Sequence, residues 1–274
     1  MKKLTVFCIV FFTVCANAQR KPKIKGNKSV IEVMEDLPAF NTVKLEDDLN
    51  VLLEASQIPG YSIVADDNLI DIIRFDVTDS VLVIRSFYKI TSKKQLDITI
   101  KYKDLKHLLV ESGSVISPNY IETEILNVKV SDGAKVELKS KLTQMHLQME
   151  DMGKGDFNVE ADSVSINLRD KSSLTFYGQL GGLDVNMYDN SQAVLEGTSD
   201  RTEVDMFGSS DLKAEQMESA HISAKLEGSA KAKLNAYKEF SLSASGMSKT
   251  YLWGNPTIDI KQFLNSSELY KKEE

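Results

Sequence analysis

Any chemistry in this chain would have to come from three histidines, a set of regularly spaced aspartates and a few basic side chains. His107, His146 and His221 lie far apart, and none sits in an H-x-x-H or H-E-x-x-H context that would bring two ligands to one metal ion. Each alternates out of phase with its apolar neighbours, so each is expected to face solvent. Asp132, Asp151, Asp170 and Asp189 recur every 19 residues. Gathered in one column of turns, their carboxylates could hold Ca2+ between layers. The glycine–aspartate nonapeptide of calcium-binding β-rolls is absent, however, and aspartate favours turns unaided, through Asx geometry. Turn formation is the expected role. Arg169 beside Asp170 matches the acid-and-base combination of polysaccharide lyases built on parallel β-helices, but one pair without a further partner does not make a site. No G-x-S-x-G, Walker or G-x-G-x-x-G pattern occurs, and Gly178, Gly181 and Gly182 read as loop glycines. Both cysteines, Cys8 and Cys15, fall in an N-terminal apolar segment, which leaves the remainder without a thiolate, disulfide or cysteine metal site. No catalytic residue, cofactor or metal ion is assigned, and the chain is expected not to be an enzyme.

What positions these residues is a repeat. A small polar pair recurs eight times: Ser112-Gly113, Asp132-Gly133, Gly153-Lys154, Asp170-Lys171, Asp189-Asn190, Gly208-Ser209, Glu227-Gly228 and Ser245-Gly246, at a mean spacing of 19 residues. Between the pairs, apolar residues alternate in two sets per period, as in Phe157 and Val159 followed by Val164, Ile166 and Leu168. That is a strand period with one buried face, and a fixed period of this length marks a repeat architecture. Two folds fit: a parallel β-solenoid with rungs of about 19 residues, or an antiparallel β meander or sandwich, since Asp-Gly between alternating apolars is also a hairpin signal. The second turn of each period is longer and more charged, as in Lys139-Ser140-Lys141. Two kinds of turn in strict alternation favour the single-domain all-β solenoid, in which each kind stacks in its own column. Trp253, with Tyr251, Ile258, Ile260 and Phe263, suits a final rung and cap.

Outside the repeat, residues 1–18 carry Lys2 and Lys3, an apolar run and Ala16-Asn17-Ala18, the pattern of a signal peptide cleaved after Ala18. The run is too short to span a bilayer. Residues 19–36 begin with Arg20, Lys21, Lys23, Lys25 and Lys28 and read as a solvated basic linker. Strand-like alternation starts near Phe40; Asn68 to Phe75 could form one or two helical turns with Asn68 as N-cap. Residues 264–274 read as a charged tail that frays or forms a short helix. The net charge of −7 becomes −9 once the leader and its two lysines are removed, which argues against nucleic acid as a partner.

Phe40-Asn41-Thr42-Val43-Lys44-Leu45, Leu49-Asn50-Val51, Asp67-Asn68-Leu69-Ile70 and Leu82-Val83-Ile84 resemble the opening of the bacterial family called putative auto-transporter adhesin, head GIN domain. Leu105 to Ser114 is similar to that family's first repeat, and Tyr251-Leu252-Trp253-Gly254-Asn255-Pro256 to its closing turn. The match spans residues 37–263. Gly153-Lys154, Asp170-Lys171 and Asp189-Asn190 depart from the family's serine-glycine turns. The resemblance implies an exported, envelope-associated β-solenoid and brings no catalytic residues. The expected function is thus a non-enzymatic adhesin-like or structural binding module of the periplasm or outer surface, with an envelope glycan or surface protein as partner. The alternative is a carbohydrate-active β-helix enzyme, a polysaccharide lyase or hydrolase, recognisable by a shallow groove in which acidic and basic side chains converge.

Overall fold

A computed structural model describes residues 21–273. The expected signal peptide, with cleavage after Ala18, lies outside the described residues. From residue 107 onward the chain is a parallel β-solenoid of about nine coils. Its strands are β10 (His107–Val110), β11 (Ser114–Val130), β12 (Lys135–Met149), β13 (Lys154–Leu168), β14 (Ser173–Met187), β15 (Gln192–Met206), β16 (Asp211–Leu226), β17 (Lys231–Ala244), β18 (Lys249–Trp253), β19 (Thr257–Phe263) and β20 (Glu268–Lys271). Each long strand is one coil. In β13, Phe157 and Val159 point inward, the phase changes at Ala161-Asp162, and Val164, Ile166 and Leu168 point inward again. The strand therefore bends once, into a first and a second limb, and a tight four-residue turn leads to the next coil.

Every coil pairs in parallel with the next at a register near 19. Leu147 lies beside Ile166, which lies beside Val185, all at most 1% exposed. Stacking at about 4.8 Å is the strand spacing of any sheet. Complete burial of such a side chain stabilises by about 1.5–3 kcal/mol. The antiparallel meander is excluded over this region. Gly178, Gly181 and Gly182, expected in a loop, lie within β14, where the ladder runs through the bend.

The front of the chain closes the N-terminal end. It comprises β1 (Lys23–Lys25), β2 (Val30–Asp36), β3 (Thr42–Leu45), β4 (Asn50–Ala55), β5 (Gly60–Asp66), α1 (Asp67–Ile70), β6 (Ile73–Thr78), β7 (Val81–Ser86), β8 (Lys89–Ser92) and β9 (Leu96–Tyr102). The first-limb sheet continues from β11 through β4 and β9 to β5 and β2, the second-limb sheet from β10 through β3 and β7 to β6. Strand direction reverses at this end: β5 runs antiparallel to β9 and β2, and β6 antiparallel to β7. The helix is a single turn with Asp66, not Asn68, at its N-cap, and Ile73 already belongs to β6.

Three expectations about the chain ends need correction. The basic stretch is not a free linker, because β1 pairs with β8 and β2 with β5. Ile24 and Val33 pack against the core, and this anchors a segment whose lysines suggested an exposed tail. The tail likewise forms β20, in parallel with β18. Residues 251–263 supply the final coil but no cap: every residue of β19 is exposed.

Candidate functional site

The tight turns superpose residue by residue. Their second position is Asp132, Asp151, Asp170, Asp189, Gly208, Gly228, Gly246 and Asn265, with φ between 49° and 80° throughout. This left-handed conformation is open to glycine and tolerated by Asp and Asn. The fourth position is small and buried, as at Ala134, Ser172, Ser191 and Ser210. The aspartates thus form the expected column, and they serve the backbone. The Asp151 carboxylate accepts the Asp132 N–H at 3.4 Å, and the Asp170 carboxylate accepts the Asp151 N–H at 3.2 Å. Among the described residues no group of three or more His, Cys, Asp or Glu is arranged to hold a metal ion. Arg169 does not work with Asp170; its guanidinium lies 4.9 Å from the centre of the Tyr188 ring, which stacks on Phe207 at 5.4 Å.

The histidines lead to a different surface. All three lie on the second limbs and face outward. His146 is aligned with Asn127 and Ser165, and His221 with Arg201 and Glu239. Around His146 and His221 the outer surface is hollowed. A cleft of about 260 Å3 is bordered by Asn127, Lys129, His146 and Asn167. A second, of about 410 Å3, is lined by His146, Ser163, Ser165, Gly182, Asp184 and Arg201. A third, of about 420 Å3, holds Arg201, Glu203, His221, Glu239, Asp259 and Lys261. His146 belongs to the first two clefts, and Arg201 and Glu203 to the last two, so the three join in one trough along the coils. Its floor is low because serine and glycine recur at outward positions, as at Ser163, Gly182, Ser223 and Ser241.

The trough is open to solvent, and some of its polar side chains contact one another. The His221 ring nitrogen Nδ1 lies 3.0 Å from Glu239, and Lys261 Nζ lies 2.5 Å from Asp259, with side chains 40–71% exposed. At such exposure these contacts contribute little stability and stay available to a ligand. The histidines were visible in the sequence; Arg201, Glu203 and Glu239 were not singled out. Counting the repeat forward from His146 passes Ser165 and Asp184 to Glu203, while Arg201, His221 and Glu239 share the neighbouring outward row, that of Ser163 and Gly182.

The family described as putative auto-transporter adhesin, head GIN domain, matches residues 39–179 and 153–256. The chain belongs to this family. Solved structures share the fold of this GIN-domain protein at low identity. A putative adhesin from Parabacteroides distasonis is 15% identical with a TM-score of 0.68, covering 91% of this chain and 100% of that one. A putative adhesin from Parabacteroides merdae is 16% identical with a TM-score of 0.59, covering 92% and 99%. A putative lipid binding protein from Parabacteroides distasonis is 18% identical with a TM-score of 0.61, covering 91% and 99%. No curated protein matches the chain. In this GIN-domain protein the turns at Asp151, Asp170 and Asp189 keep the backbone conformation of those at Gly208, Gly228 and Gly246, so replacing glycine there leaves the coil path unchanged.

Proposed function

We propose that this protein is an exported, non-enzymatic envelope module that holds an extended glycan in the second-limb trough. The observation that carries this reading is the continuity of the trough through His146 and through Arg201 and Glu203. Its rows of hydroxyl, amide, imidazole and charged groups are spaced at about 4.8 Å, the coil spacing, and offer a linear polymer hydrogen-bonding groups at successive coils. Membership of an adhesin-like family supports export and surface display. Cleavage after Ala18 would deliver the chain to the periplasm or outer surface.

Adding bulk to the floor tests the site without touching the core. Ser165→Trp and Ser223→Trp should each weaken binding of purified envelope polysaccharide by about tenfold or more, equivalent to about 1.4 kcal/mol, at unchanged thermal stability. Capture of a surface protein lost in both variants would keep the trough and replace the glycan. One observation favours the enzymatic reading: Arg201, Glu203, Glu239 and Asp259 share a single cleft. Bond cleavage in acidic polysaccharides, abolished in Arg201→Ala or Glu203→Gln, would overturn the binding-module reading.

A further inference from the structure

We propose that the C-terminal end of the solenoid is the contact between two copies of this chain, related by a two-fold axis across the last coil. The end is an unfinished core. Ile258, Ile260 and Phe263 are 42, 43 and 45% exposed, whereas their partners one coil earlier, Phe240, Leu242 and Ala244, are 1, 0 and 2% exposed. With Leu269 and Tyr270, Ile260 and Phe263 border a hollow of about 490 Å3. A solenoid end that presents its inward rows needs a cover to stay soluble.

The two ends of the molecule differ, and this selects the occupant. At the N-terminal end the outermost strands β2 and β6 run antiparallel to their neighbours, and α1 buries Leu69 completely. Head-to-tail stacking would set the open end against a finished one and leave an open end on every assembly. Two open ends brought together by a two-fold cover each other, and the assembly closes.

The edge strand is self-complementary in that arrangement. A two-fold normal to the sheets sets β19 antiparallel to its own copy, and an axis at Ile260 places Asp259 opposite the second copy's Lys261, twice. Both side chains face the same outer side, since both line the trough. A parallel approach in register would set acid beside acid. The bulge at Lys261 and the position of Lys271 in the inward row of Leu252 interrupt backbone pairing at this edge. Both features restrain unlimited strand addition, so apolar side chains and the charge pairs carry the contact. Because Thr257, Asp259 and Lys261 end the trough at this edge, the two troughs run into one another in the pair. The proposal does not depend on what the trough binds.

Sedimentation velocity and light scattering on the exported chain test it across a range of concentrations. The wild type is expected to be a dimer. Phe263→Lys is expected to be monomeric with unchanged circular dichroism, because the side chain is already exposed. Asp259→Lys and Lys261→Asp should each weaken the dimer about tenfold or more, and the double swap should restore it. A wild type that stays monomeric, or a dimer indifferent to Phe263→Lys, overturns the proposal. A double swap as weak as the single variants overturns the two-fold arrangement.

Discussion

The Asp151 N–H donates to the Asp170 carboxylate across one coil, at 3.2 Å, while both residues hold φ at 58°. One residue type thus meets two demands of the turn: it tolerates the left-handed backbone and it satisfies a donor of the coil before. Separating the demands gives a prediction. Asp170→Gly relieves backbone strain but loses the hydrogen bond, and should lie within about 1 kcal/mol of wild type. Asp170→Val adds a left-handed cost of about 1–2 kcal/mol to that loss and should be clearly less stable in urea unfolding. Equal midpoints for the two variants would show that the turn carries no such strain.

Ile166 tests the stack itself. Ile166→Asp places an unpaired carboxylate among Leu147, Val185 and the facing limb, at a cost of several kcal/mol. Asn167→Asp on the outer side should change stability by about 0.5 kcal/mol or less. Hydrogen exchange should show the damage from Ile166→Asp reaching one coil either side, at Leu147 and Val185, because contacts in a solenoid run between neighbouring coils. Protection lost only within β13 would contradict that coupling.

The register of this stack was legible in the sequence because the period is strict. The left-handed position falls at residues 132, 151, 170, 189, 208, 228, 246 and 265. At the third turn the polar pair Gly153-Lys154 lies two residues past the left-handed position, which Asp151 holds; Gly153 occupies the small buried position instead. The front was less legible. Its strands β5 and β6 reverse direction, and nothing in a strand's alternation states the direction of its neighbour. The trough was legible only in part, since an outward row has no hydrophobic signal and needs the register first.

Gly155 and Phe157 form a fitted pair. A Cβ at Gly155 would lie 2.4 Å from the Phe157 ring, so the glycine leaves room for one of the largest buried side chains. Gly155→Ala should overpack the coil by about 1–3 kcal/mol. Gly155→Ala combined with Phe157→Leu should recover part of that loss, as expected for contacting residues. A thermal melt of the double variant no better than the sum of the singles would place the strain elsewhere.

Asp66 supplies the pH dependence of the N-terminal closure. Its side chain has no solvent-accessible surface, and burial alone would push its carboxyl up. Backbone N–H donors from Lys94, Lys28 and Gln95, at 3.1, 3.2 and 3.4 Å, outweigh burial and hold it below the ordinary value of 3.8. A carboxyl whose folded value is depressed contributes stability that is fully present above the unfolded value and is lost as pH falls through the folded one. Between pH 5 and 8 this contribution should be constant, and below about pH 4 it should fade. Asp66→Asn keeps the shape and one acceptor oxygen but removes the charge. Its melting temperature should lie several degrees below wild type at pH 7, and the gap should narrow toward pH 3. Gly26→Ala attacks the same joint sterically, because a Cβ there would lie 1.8 Å from Asp66 Oδ2. It should destabilise at every pH and release β1 and β2 first, as seen by limited proteolysis after the lysines at 23, 25 and 28. A gap between wild type and Asp66→Asn that widens on acidification would reverse the sign and sink this account of the joint.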